Sequence, residues 1–106
     1  MSKLVVHVDE PAKVGMAIGN VRNFLALRAM STVVIVVNGP AITTLADGKW
    51  APLLTTLPQV ELDACHNAMA SHQLTAADLP AGVTVVPAGV VRLVELQEQG
   101  YAYLKP

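Results

Sequence analysis

The run Thr32-Val33-Val34-Ile35-Val36-Val37-Asn38-Gly39-Pro40 decides the fold. Its residues from Thr32 to Val37 are apolar or β-branched without alternation, the pattern of a strand covered on both faces, as in a parallel sheet flanked by helices. Asn38-Gly39-Pro40 then supplies the turn that ends it. This strand is expected at the centre of the sheet.

Working outward toward the N-terminus, Leu4 to Val8 is a second short β-branched run. Asp9-Glu10-Pro11 follows, an acid suited to an N-cap and a proline suited to a first helical turn. Val14, Ile18, Val21 and Leu25 then recur at helical spacing with Ala17 and Phe24 beside them, which predicts an amphipathic helix. Toward the C-terminus, Ala41 to Leu57 contains Asp47-Gly48 and Pro52 and reads as two short helical pieces around a turn. Val60 to Ala64 is a third strand, Cys65 to Gln73 a helix, and Leu79-Pro80-Ala81-Gly82 a break. Val83 to Val86 is a fourth strand, followed by Pro87-Ala88-Gly89 and a helix whose apolar stripe is Val90, Leu93, Val94 and Leu96. Gly100 suits the end of that helix, and Tyr101 to Leu104 is the last strand. Strands alternating with helices imply right-handed crossovers and a three-layer α/β/α domain covering residues 1–106.

Composition limits the function classes. Hydrophobic residues make up 53% of the chain and charged residues only 14%, against about a quarter charged in an average protein. That leaves little polar surface to coat a lone monomer, so a homo-oligomer is expected. A net charge of −1 without a basic cluster removes the electrostatic contribution that dominates nucleic-acid affinity. No apolar run approaches the length of a membrane span, and the N-terminus enters a strand pattern without a secretory leader, so the expected compartment is the cytoplasm. The single cysteine cannot form an internal disulfide, in keeping with a reducing compartment. Glycine-rich phosphate loops, serine elbows and paired-carboxylate spacings are not found.

In an open parallel sheet, ligands bind beyond the carboxyl ends of the strands. Those ends carry Asp9-Glu10-Pro11, Asn38-Gly39-Pro40, Cys65-His66-Asn67 and Pro87-Ala88-Gly89. Cys65 is the candidate catalytic residue, because a thiol at a helix N-terminus feels the positive end of the dipole, which favours its thiolate. Asn38, Gly39, His66, Asn67, Pro87, Ala88 and Gly89 are expected to form a ligand-binding rim around it. The competing reading makes Cys65 a small buried hydrophobe.

The three histidines are weaker candidates. His66 projects about 100° away from Cys65 on a helix, and His72 lies about 10 Å further along the axis, which disfavours a shared metal. No metal site or cofactor is expected. His7, inside the first strand, reads as a hydrogen-bonded core or interface residue. Trp50 reads as filling an interface, and Tyr101 and Tyr103 share one face of the last strand for packing or subunit contact.

Taken together, the residues resemble the DsrE/DsrF-like family of small sulfur-metabolism proteins. The similarity is carried by Asp63-Ala64-Cys65-His66-Asn67-Ala68-Met69, by Gly82-Val83-Thr84-Val85-Val86-Pro87-Ala88-Gly89-Val90 and by Leu96 through Pro106. Weaker echoes are Asn20 to Leu25 and Val36 to Pro40. The resemblance, closest to the stand-alone branch of the family, implies a five-stranded parallel sheet in the order 4-3-2-1-5. Its general appearance would be flavodoxin-like, and it would assemble into trimers or hexamers. In sulfur-relay members the cysteine matched by Cys65 carries a persulfide. The resemblance thus implies a sulfur carrier or sulfurtransferase-type protein, with sulfur donor and acceptor proteins as partners. With no second cysteine, sulfur on Cys65 must leave to another molecule. The alternatives are an oligomeric module that binds a small anion or nucleotide-like ligand, and a scaffold without covalent chemistry.

Overall fold

A computed structural model describes all residues, 1–106. Five strands alternate with helices: β1 (Lys3–Val8), α1 (Val14–Leu27), β2 (Thr32–Val37), α2 (Ala51–Thr56), β3 (Glu61–Cys65), α3 (His66–Ser71), β4 (Val83–Val86), α4 (Gly89–Glu98) and β5 (Ala102–Leu104). Short 3-10 turns at Pro11–Lys13, Gly39–Leu45 and Ala76–Asp78 complete the chain. All pairings are parallel, in the order β4-β3-β2-β1-β5. This is the three-layer α/β/α sheet expected from the central run, and β2 is its middle strand. No helix is long and apolar enough to cross a membrane.

Register assigns each residue to a face. Leu4, Val6 and Val8 lie beside Val33, Ile35 and Val37, which with Leu62 and Ala64 form the face under α1, α2 and α3. The opposite face carries rows such as His7, Val36, Asp63 and Thr84, and only α4 covers it. The two cores differ accordingly, with 22 buried residues on the first side and five on the second. At about 25 cal/mol per Å² of apolar area, the first core supplies most of the hydrophobic stabilisation.

The structure departs from the sequence reading at several places. The strand predicted as Val60–Ala64 runs Glu61–Cys65, so Cys65 ends a strand before it caps a helix. The helix predicted to reach Gln73 stops at Ser71, because Gln73 adopts φ 59°. Its N–H bonds to Ala70 O and that of Leu74 to Met69 O, the helix ending usually made with glycine, here without one to announce it. Gly100 (φ 93°) closes α4 in the same manner, as its sequence position predicts. Asp9 does not cap a helix. The chain enters a 3-10 turn first, and Asp9 Oδ1 pairs with Lys105 Nζ at 3.1 Å because β5 lies beside β1.

Trp50 fills the core and not an interface. Its Nε1 donates to Thr44 Oγ1 at 2.8 Å, and Thr44 donates on to Ala41 O at 2.6 Å, so the indole is satisfied inside. In α4 the buried residues are Gly89, Leu93 and Leu96, while Val90 and Val94 are more than half exposed. The helix is rotated from its predicted stripe so that Arg92 faces β3.

Candidate functional site

Cys65 closes β3 with extended backbone (φ −70°, ψ 115°) and serves as the N-cap of α3. Its Sγ accepts the N–H of Ala68 at 3.4 Å, the bond a serine or aspartate oxygen makes at other helix starts. The residue is 6% exposed. It sits in a cleft of about 290 Å³ at the carboxyl ends of β2, β3 and β4, lined among others by Asn38, Cys65, Asn67, His72 and Gly89.

Of the predicted rim, Asn38, Gly39, Asn67, Ala88 and Gly89 line this cleft, whereas His66 and Pro87 face outward and do not. His72, dismissed from its spacing along the helix, does line it, with Nδ1 3.0 Å from Ala68 O. Gly89 lets α4 approach closely: a Cβ there would lie 3.0 Å from Asn38 Cβ and 3.3 Å from Cys65 Cβ. The first helical N–H groups of α4 have no side-chain cap, since Ala88 is the N-cap.

Asn38 is held from the sheet side. His7 Nε2 lies 2.8 Å from Asn38 Oδ1, and His7 Nδ1 lies 2.6 Å from Tyr103 Oη. His7 is therefore hydrogen-bonded, on the thinly covered face of the sheet.

The same face holds a group the sequence reading missed. Glu61 and Asp63, two residues apart on β3, point to one side and meet Arg92. The guanidinium Nε donates to Asp63 Oδ2 and Nη2 to Glu61 Oε2, both at 2.9 Å. Alternation within a strand is the signal that pairs them; the passage of Arg92 over β3 is not visible in the sequence. Asp63 is fully buried and its Oδ1 has no partner. Burial, reinforced by the neighbouring Glu61 carboxyl, pushes the Asp63 carboxyl up to about 7 despite Arg92. The neighbouring Asp63 carboxyl, together with Arg92, holds Glu61 below its ordinary value. An orphaned oxygen costs less on a neutral carboxyl than on a carboxylate, which agrees with that direction.

A larger apolar cleft of about 460 Å³, lined among others by Trp50, Leu54, Leu79 and Pro80, precedes β4 and holds no cysteine or histidine. No group of three or more His, Cys, Asp or Glu residues is placed to hold a metal ion.

A sequence model of the DsrE/DsrF-like family matches residues 1–106. The chain belongs to the DsrE/DsrF-like family. Among solved structures, this DsrE/DsrF-like chain is similar to the protein of unknown function MTH1491 from Methanobacterium thermoautotrophicum, with 28% identity, a TM-score of 0.89 and all of both chains covered. It is also similar to the ychN protein from E. coli, with 13% identity, a TM-score of 0.85 and complete coverage of both chains, a likeness that shows the fold. No curated protein matches the sequence. The DsrE/DsrF-like family is linked in general to sulfur relay.

Proposed function

We propose that this DsrE/DsrF-like protein is a sulfur carrier that holds sulfane sulfur as a persulfide on Cys65. The observation that supports the reading most is the position of the thiol, which ends β3 in a cleft formed where three strand ends meet. In the loading step the Cys65 thiolate attacks the outer sulfur of a donor persulfide, forming the Cys65 S–S bond and releasing the donor as a thiolate. An acceptor thiolate then attacks that outer sulfur and frees Cys65. Sulfur moves at the sulfane level in both steps, so no external oxidant or reductant is consumed. At 6% exposure the thiol is reached through the cleft and not from open surface.

Incubation with a low-molecular-weight persulfide followed by intact-mass spectrometry is expected to add one sulfur to wild type and none to Cys65→Ser, and an excess of small thiol should remove it. An unmodified wild type whose cysteine also resists a small alkylating reagent would overturn the carrier reading. The second reading, a small-anion-binding module, is favoured by the uncapped N–H groups of α4. It requires saturable binding that survives Cys65→Ser.

Assembly into a homotrimer or homohexamer belongs to the same proposal, as does a reducing compartment such as the cytoplasm. Support for the assembly comes from Val90, Val91 and Val94, exposed together on α4, and from the 14% charge content. Light scattering on the purified protein is expected to give a mass of three or six chains. A monomer at micromolar concentration would remove this part of the reading.

A further inference from the structure

The hydrogen-bonded series Tyr103, His7, Asn38 runs from the half-exposed sheet face into the Cys65 cleft, and its donors and acceptors can be assigned from one end. Asn38 presents Oδ1 to His7 Nε2, and an amide oxygen can only accept, so Nε2 carries the proton. A neutral imidazole has one donor and one acceptor, so Nδ1 must accept, and the Tyr103 hydroxyl, free to rotate, is its donor at 2.6 Å. With Oδ1 engaged, the other end of the Asn38 amide is turned away from His7. Its Nδ2 lies 3.3 Å from the point where a Cβ on Gly89 would sit, and Cys65 Cβ lies 3.3 Å from that same point. The amide donor and the thiol-bearing carbon therefore both border the space left by the bare backbone of Gly89.

We propose that Asn38 donates a hydrogen bond from Nδ2 to the outer sulfur of the Cys65 persulfide, and that His7 and Tyr103 are positioning residues that fix the amide in that orientation. The inference rests on the carrier reading. A persulfide extends about 2 Å beyond Sγ, which carries its anionic sulfur into the space that Asn38 lines. Asn38 Oδ1 in place of Nδ2 would present a partial negative charge to that anion. The Nε2–H of His7, which needs Oδ1 as its acceptor, disfavours this arrangement, and the Tyr103 hydroxyl donating to Nδ1 supports that tautomer.

Nitrogen-15 NMR of the His7 ring and the lifetime of the loaded protein in dilute thiol test this together. In wild type at pH 8 the ring is expected as the Nε2–H tautomer. Asn38→Ala and His7→Leu should each shorten the persulfide lifetime about tenfold, the effect of losing one hydrogen bond to a charged group. The double variant should be no worse than either, because His7 acts only through Asn38. Tyr103→Phe, which leaves the packing intact, should mix the tautomers and shorten the lifetime by about threefold, between wild type and Asn38→Ala. An Nδ1–H tautomer in wild type, additive losses, or unchanged lifetimes in folded variants would overturn the positioning role while leaving the carrier reading in place. Failure of wild type to take up sulfur would instead remove the carrier reading itself, and this inference with it.

Discussion

Replacing Arg92 with alanine is expected to destabilise the protein by about 3 kcal/mol at pH 8 and by only about 1 kcal/mol at pH 5.5. At pH 8 the fully buried Asp63 is ionised, and the guanidinium at 2.9 Å compensates its charge. Removing one partner of a buried pair leaves an uncompensated charge, or forces the carboxyl to take up a proton against the pH. At pH 5.5 that proton is already bound, because the Asp63 carboxyl sits at about 7, and only a hydrogen bond is lost. The sign for wild type follows from linkage. A carboxyl raised from its ordinary 3.8 contributes stability that is complete at low pH and is lost as the pH climbs through about 7. Glu61, held below its ordinary 4.5, acts in the opposite direction and loses its contribution as the pH falls below that value. Stability is therefore expected to be greatest in mildly acidic solution, and Asp63→Asn should flatten the decline toward pH 8. Chemical denaturation of wild type and Arg92→Ala at the two pH values is the check. Equal penalties at both would mean that Asp63 does not change charge between them.

Gly89→Val is expected to slow loading of Cys65 by more than tenfold while the protein stays folded. Even a single Cβ would press on Asn38 Cβ at 3.0 Å and on Cys65 Cβ at 3.3 Å. The two further methyl groups of valine must then occupy the cleft of about 290 Å³ through which the thiol is reached. Gly89→Ala should be intermediate, since Asn38 need shift only slightly. Overpacking of this kind costs about 1–3 kcal/mol, so thermal melting separates a blocked cleft from an unfolded chain. Loading of Gly89→Val at the wild-type rate would show that sulfur reaches Cys65 by another route. That outcome would also remove the structural basis for placing Asn38 beside the persulfide.

Both expectations depend on where α4 sits over the sheet, and that is where local sequence was least informative. The reading of Val90 and Val94 as buried followed from helical periodicity, which treats all apolar residues alike. The tie from Arg92 to Asp63 and Glu61 turns the helix so that Leu93 and Leu96 go in and the valines stay out. Trp50 was misread for the opposite reason. Its polar N–H finds Thr44 within the irregular segment, a partner that propensity does not reveal.

The sequence by itself determined the alternation of strands and helices, the central place of Thr32–Val37 and the position of Cys65 at a strand-to-helix junction. Those features depend on residues adjacent in the chain: an unbroken β-branched run is stable only when both its faces are covered, and a cap is formed within four residues. The order of the strands came from family resemblance, since the pattern of each strand is compatible with several neighbours. Only the tertiary structure decided that Tyr103 meets His7 across 96 positions and that Asn38 meets His7 across 31. It also decided that Asp63 is buried beneath Arg92, 29 residues away. Such pairings depend on which elements pack together, and the free energy that selects them is that of the whole packed sheet, not of any one segment.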